Sequence, residues 1–125
     1  RPTPRSNRRQ RQMCIRDRAY AGADVFVLIS RFEGLSMALL EALAHQLPPI
    51  VGTEVEDVLP VAASGAGWST SAEALGGQLN EIAQLDSNGW EAKRRAAARL
   101  VEPYRWDTIA GDYGALYGSL VSATR

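Results

Sequence analysis

The chain has 125 residues, enough for one modest domain, and its formal net charge at pH 7 is zero. That zero hides an asymmetry, since residues 1–18 hold seven Arg and one Asp, for a net charge of +6, whereas residues 19–125 carry −6 from seven basic and thirteen acidic residues. Cys14 is the only cysteine, and no apolar run approaches the roughly 18 residues that span a bilayer, which excludes a disulfide framework and a membrane-spanning helix and favours a cytoplasmic protein.

Residues 1–18 form a basic segment of unusual sequence. Clustered arginines are typical of a disordered arm that binds nucleic acid or an anionic membrane. Residues 13–18, MCIRDR, are however what the transposase end sequence used to prepare DNA libraries would encode, and the composition changes at Ala19. Residues 1–18 are therefore predicted to be a disordered adapter artefact, separate from a domain of residues 19–125, with no nucleic-acid partner. A genuine basic arm is the alternative.

The first strand is predicted over residues 24–29. This stretch, DVFVLI, has no polar alternation and is rich in β-branched and aromatic residues, which is typical of a buried parallel strand. A turn at Gly34 leads to a helix over residues 36–46. Leucines at helical spacing in and just after this helix are expected to face the sheet: Leu39, Leu40, Leu43 and Leu47.

A Pro-Pro pair ends this helix, and Ile50 with Val51 predicts a short second strand. Because proline has no N–H for a sheet ladder, Pro49 is expected at the first position of that strand. Residues 58–63 then predict a short helix, and residues 65–68 a turn into a brief third strand. Three acidic residues before the short helix are assigned to solvent: Glu54, Glu56 and Asp57.

Three helices are predicted after the third strand. The first follows a capping-box spacing at residues 70–73, and the second is a basic helix that reaches about Val101, with residues 93–95 on a solvated face. The last helix carries an apolar stripe that is assigned to packing: Trp106, Ile109, Tyr113, Leu116, Tyr117 and Leu120. Strands that alternate with helices predict an α/β fold, here a partial Rossmann-like parallel sheet with C-terminal helices, because only two or three strands are visible.

Glu33 and Glu41 flank the start of the helix that follows the first strand. A strand, a glycine turn and a helix start together favour a phosphate-bearing ligand, because the first N–H groups of a helix attract an anion. A carboxylate on each side of that helix start suggests a ligand with hydroxyl groups as well. The alternative is two exposed acids without a ligand.

Three stretches in order resemble the donor-binding domain of retaining glycosyltransferases with two Rossmann-like domains, within the group called glycosyl transferases group 1, or family four. They are the strand over residues 23–30, the two-glutamate run over residues 33–48, and the closing helix over residues 106–117. The resemblance implies that residues 19–125 are half of the C-terminal domain of a type B glycosyltransferase. The upstream strands, the basic pair that holds the diphosphate and the N-terminal acceptor domain would then lie outside this fragment.

The resemblance also implies residue roles. Glu41 would bind the ribose hydroxyls of a nucleotide-sugar donor. Glu33 would contact the donor sugar as the catalytic residue, but the resemblance does not imply that it acts as a nucleophile. Backbone N–H groups after Glu33 would face the sugar and diphosphate: Gly34, Leu35, Ser36 and Met37. Ionised carboxylates accept hydrogen bonds from neighbouring hydroxyls, and a helix start favours a departing diphosphate, so the chemistry agrees with these roles.

The implied reaction transfers a sugar from a nucleotide-sugar donor to an acceptor, which is a glycan, a lipid or a small molecule, with retention of configuration. No cofactor and no bound metal are expected. The parent enzyme would be cytoplasmic or peripheral at the inner face of the membrane. A non-catalytic fragment of the same fold and a nucleotide-sugar epimerase are the alternatives, and the fragment alone is expected to be inactive.

The sequence departs from the family pattern at three places. Ser36 stands where proline or glycine is common, although a serine can still open a helix as a cap. Gln46 stands where a helix-ending glycine is usual, and a left-handed conformation there would cost roughly 1 kcal/mol. The region after Gly52 is acidic where small residues are usual, so no roles are assigned to it. His45 is interpreted as a residue at the helix end rather than as a catalytic base.

Overall fold

The computed structural model describes residues 5–123, with side chains from residue 14 onward. Within that range the helices are α1 (Arg5–Gly22), α2 (Met37–Ala44), α3 (Thr53–Glu56), α4 (Leu75–Ile82), α5 (Ser87–Val101), a 3-10 helix (Glu102–Tyr104) and α6 (Trp106–Ala123). The strands are β1 (Phe26–Leu28), β2 (Pro49–Val51) and β3 (Trp68–Ser69). Among the described residues, every helix is either too short or not apolar enough to span a bilayer.

The three strands form one parallel sheet in the order β1-β2-β3, which confirms the predicted α/β class. Phe26 is opposite Pro49, and Ile50 is opposite both Val27 and Trp68. Pro49 therefore occupies the first position of β2, as expected for a residue that cannot donate to the ladder. The strands are short, and β1 and β3 are the edges of the described sheet.

Helix α2 covers the sheet with its apolar side. Its leucines recur at helical spacing and, with Leu47, are buried: Leu39, Leu40, Leu43 and Leu47. Leu39, Leu40 and Leu43 join the core that includes Val51 of β2 and Ala96, Ala97 and Val101 of α5. Small alanines on α5 let that helix approach α2 closely, so the helix that carries the candidate site is held between the sheet and α5.

The C-terminal end of α2 closes with a Schellman pattern. The N–H of Leu47 donates to the carbonyl of Ala42 at 3.0 Å, and the N–H of Gln46 donates to that of Leu43 at 2.9 Å. This pattern requires a left-handed residue, and Gln46 has a φ of 58°. The predicted strain at Gln46 is therefore present, because a side chain occupies a conformation that suits glycine.

The segment between β2 and β3 differs from the prediction. The short helix is α3, over Thr53–Glu56, rather than over residues 58–63. Glu56 is not simply solvated: its carboxylate accepts the N–H of Ala62 at 2.9 and 3.0 Å and the N–H of Ala63 at 3.0 Å. The Glu56 carboxylate thus accepts the backbone N–H groups of a turn, at a place where the sequence pattern predicted a helix.

The two terminal helices also differ from expectation. Residues 1–18 were expected to be disordered, but the chain is helical from Arg5 to Gly22; residues 1–4 lie outside the described residues. An adapter origin for this segment stays a prediction. In α6 no described residue is buried, and Trp106 is 80% exposed, so the apolar stripe does not pack as expected within the described residues. Propensity and pattern make α6 a helix, but the described sheet offers it no face to cover.

Candidate functional site

The candidate site lies at the carboxyl end of β1, where the chain leaves the sheet and enters α2. Residues 29–36 form this connection, and Glu33 and Gly34 lie within it, with Gly34 exposed. Beside it, the N–H of Gly52 donates to the carbonyl of Leu28 at 3.0 Å. A methyl group on Gly52 would come within 3.3 Å of the Ser30 carbonyl oxygen, so a small residue keeps this edge of the sheet compact.

Ser36 begins α2. Its backbone is extended, with φ −69° and ψ 120°, and its Oγ accepts the N–H of Leu39 at 3.4 Å. Ser36 is buried, which fixes the direction from which the helix starts. The first N–H groups of such a helix have no intrahelical acceptor and carry the positive end of the helix dipole. The start of α2 is therefore suited to an anionic group such as a diphosphate.

Glu41 stands one turn into α2 and is paired with groups of α1. Tyr20 donates its hydroxyl to Oε2 of Glu41 at 3.3 Å, and Nη2 of Arg16 lies 3.3 Å from Oε1. The Glu41 side chain remains 34% exposed, so a ligand can still reach the carboxylate. No sequence pattern indicated these partners, because they lie 21 and 25 residues away along the chain.

The remaining residues of the predicted site follow the loop into the helix. Glu33 is partly exposed, Leu35 is 43% exposed and Met37 is 63% exposed. Glu33 thus belongs to the loop before α2, whereas Glu41 belongs to the helix itself. The roles predicted for the site fall partly on the loop and partly on the first turns of α2: Glu33, Gly34, Leu35 and Ser36 precede the helix, and Met37 and Glu41 lie in it.

A cleft opens on one side of Glu41. It has a volume of about 450 Å³ and lies between α2 and the junction of the 3-10 helix with α6. Its lining combines apolar and polar residues: Met37, Leu40, Glu41, Ala44, Val101, Tyr104, Arg105, Trp106 and Asp107. A cleft of this volume is within the range that small ligands occupy.

His45 and Lys93 have more specific surroundings than predicted. The ring of His45 stacks on Tyr20 with centroids 5.4 Å apart, and its Nε2 lies 3.6 Å from a carboxylate oxygen of Asp17. Lys93 was assigned to a solvated face, but its Nζ donates to the Gly67 carbonyl at 2.9 Å. Burial lowers the pKa of the Lys93 ammonium. Among the residues described, no three His, Cys, Asp or Glu side chains are grouped as a metal site would need.

Comparison with known proteins gives a consistent set of relatives. Glycogen synthase 2 of Bradyrhizobium diazoefficiens is 33% identical over 116 residues, covering 84% of this chain and 24% of that protein. Glycogen synthase 2 of Geobacter metallireducens is 36% identical over 110 residues, covering 78% of this chain and 22% of that protein. The GDP-mannose:cellobiosyl-diphosphopolyprenol alpha-mannosyltransferase of Xanthomonas oryzae pv. oryzae is 31% identical over 94 residues, covering 73% of this chain and 25% of that protein.

The chain thus spans about a quarter of the length of these curated relatives. No solved structure gives a significant match. The family model described as glycosyl transferases group 1 matches residues 12–84, which include β1, the two-glutamate connection and all of α2. Because this match covers more than half of the residues of the chain, the chain belongs to the glycosyl transferases group 1 family.

Proposed function

We propose that this chain is the donor-binding part of a longer, retaining glycosyltransferase. The observation that carries the proposal is the arrangement at α2, where a helix start capped by Ser36 is flanked by Glu33 in the preceding loop and by Glu41 one turn into the helix. Family membership supports sugar transfer as the reaction class. The donor is a nucleotide sugar, and the acceptor is bound by the remainder of the protein.

Each part of the site has a proposed task. Glu41 accepts hydrogen bonds from the ribose hydroxyls, because an ionised carboxylate has two oxygens available for vicinal donors. The N–H groups of Gly34 to Met37 face the diphosphate, whose negative charge grows as the bond to the sugar breaks, so fixed dipoles stabilise it most in the transition state. Glu33 contacts hydroxyls of the sugar and orients the carbon that is attacked.

The length of the motif fits such a donor. Ser36 to Glu41 is five residues, which corresponds to roughly 7–8 Å along a helix at 1.5 Å per residue. That is about the separation between a phosphate and the ribose hydroxyls of the same nucleotide, so one donor can reach both the helix start and Glu41. We propose that the reaction needs no cofactor and no metal, and that it takes place in the cytoplasm.

The test uses the complete protein that carries this chain. GDP-mannose, UDP-glucose and ADP-glucose are supplied as labelled donors, and nucleotide release and sugar transfer are measured for the wild type, Glu41→Gln and Glu33→Gln. We expect Glu41→Gln to raise the donor KM by about 10-fold or more, since one lost charged hydrogen bond is worth about 1.5–3 kcal/mol. Glu33→Gln should instead lower kcat. A Glu41→Gln enzyme with unchanged donor kinetics contradicts the proposal.

A further inference from the structure

The hydroxyl of Tyr20 connects the side chain of Glu41 to the backbone of the helix that carries it. It lies 3.3 Å from Oε2 of Glu41 and 3.4 Å from the carbonyl oxygen of Ala38, one turn earlier on α2. A phenol has a single proton, so these two acceptors share it. The carboxylate is therefore restrained with respect to its own helix through a residue from another element.

The ring of Tyr20 is itself held in place. It packs against Phe26 of β1, with centroids 6.1 Å apart at 58°, and stacks on His45 at 5.4 Å and 28°. These contacts place the phenol between the first strand and the end of α2. The ring of Tyr20 is therefore held by residues of two other elements.

Arg16 is the weaker of the two partners of Glu41. Its side chain is 59% exposed, and ion pairs at such surfaces restrain a side chain little because water competes for both charges. Tyr20 is partly buried, and burial, followed by the nearby Glu41 carboxylate, raises the pKa of its phenol. Tyr20 thus remains a protonated donor through the physiological pH range.

We propose that Tyr20 is a positioning residue of the donor site: its hydroxyl fixes the Glu41 carboxylate in the orientation that receives the ribose hydroxyls. This inference rests on the proposed role of Glu41. A carboxylate has about four lone-pair positions, so the bond from Tyr20 leaves acceptor positions for a ribose. Immobilising a flexible side chain on binding costs about 0.5–1.5 kcal/mol, so a carboxylate that is already fixed gains about 2- to 13-fold in donor affinity.

The variant that tests this is Tyr20→Phe, which keeps the ring between Phe26 and His45 and removes only the hydroxyl. In the complete protein we expect the donor KM to rise by about 2- to 13-fold while the acceptor KM is unchanged. Tyr113→Phe is the matched control, because Tyr113 is an exposed tyrosine on α6 that packs against Tyr117. It should leave the donor KM as in the wild type.

The double variant separates this inference from the proposed function. If Tyr20 acts through Glu41, Tyr20→Phe has no further effect on donor KM in a Glu41→Gln background. An equal rise in both backgrounds, or no rise in either, overturns the positioning role. If Glu41→Gln alone leaves the donor kinetics unchanged, the proposed function fails instead.

A spectroscopic measurement on the complete protein checks the contact without any donor. The absorbance of phenolate is followed against pH, and the titration of Tyr20→Phe is subtracted from that of the wild type to isolate Tyr20. Its midpoint should lie above the ordinary value of 10.0 and move downward in Glu41→Gln, where the neighbouring charge is removed. A midpoint that Glu41→Gln does not change overturns the proposal, whatever the donor assays give.

Discussion

The ammonium of Lys93 lies 4.8 Å from the centre of the Trp68 ring, and the same nitrogen donates to the carbonyl of Gly67 at 2.9 Å. Trp68 in turn meets Trp90 edge to face at 5.9 Å. One lysine of α5 thereby ties this helix to the start of β3. The hydrogen bond reaches the backbone just before β3, and the cation–π contact reaches a side chain of β3. Both contacts therefore join the third strand to α5, the helix that packs against α2.

The first prediction concerns Lys93→Met, which keeps an apolar stem and removes the charge. We expect a loss of about 1 kcal/mol of unfolding free energy near pH 7, because a cation–π contact and a charged hydrogen bond are lost while a burial cost is relieved. Burial lowers the Lys93 pKa, so the unfolded chain binds the proton more tightly than the folded one.

It follows that the wild type gains stability relative to Lys93→Met as the pH rises from the lowered folded pKa of Lys93 toward its ordinary value of 10.5. Urea unfolding of both proteins at a series of pH values measures this difference. A difference that shrinks over the same range contradicts the assignment.

The second prediction compares two glycines. A Cβ on Gly67 would clash with the Pro49 carbonyl oxygen and lie 2.7 Å from Cγ1 of Val61. Gly67→Ala should therefore cost at least about 3 kcal/mol, since neither backbone nor buried core can move aside cheaply. Gly77→Ala, in α4 with open space around it, should instead stabilise by up to about 1 kcal/mol. Thermal unfolding of the two variants would reveal opposite shifts.

The third prediction concerns the turn at residues 62–63. Glu56→Ala removes the carboxylate that accepts the N–H groups of Ala62 and Ala63, and we expect a loss of about 1–2 kcal/mol. Glu54→Ala is the matched control: Glu54 is exposed and receives a hydrogen bond from the adjacent Thr53, so its loss should change stability by less than about 0.5 kcal/mol. Equal effects in the two variants, measured by denaturant unfolding, argue against a structural role for Glu56.

The fourth prediction tests the packing of the site helix. Leu43 is fully buried between α2 and the sheet, and Leu43→Ala should cost about 2–5 kcal/mol through lost contacts and a residual cavity. Leu79 of α4 is 42% exposed, so Leu79→Ala should cost less than about 1 kcal/mol. Hydrogen exchange can follow the local effect. Faster exchange of α2 amides in Leu43→Ala, but not in Leu79→Ala, is the expected result.

The sequence was sufficient to predict the strands of the sheet and helix α2, because both depend on local patterns of apolar residues. The apolar run before Gly34 predicted β1, but its expected burial was wrong, since Val27 is 44% exposed on this edge strand. The leucine spacing predicted which side of α2 is buried. The start of α2 at Ser36 was also predictable, since capping depends on one residue and its immediate neighbours.

The features that the sequence did not predict depend on contacts between distant residues. Glu56 satisfies a turn six residues further on, and Tyr20 reaches Glu41 across 21 residues, and neither relationship leaves a periodic signal. The apolar stripe of α6 had the correct period for a packed helix, yet Trp106 and Tyr117 are exposed in the described structure. Periodicity identifies the apolar face of a helix, but it does not identify what covers that face.

The left-handed conformation of Gln46 has a practical consequence for protein engineering. Gln46 is exposed and lies beyond the last turn of α2, at the opposite end from Ser36. Replacing it with glycine would relieve roughly 1 kcal/mol of backbone strain without altering a residue that faces the proposed donor. The stability of α2 can thus be raised independently of the chemistry proposed for its other end.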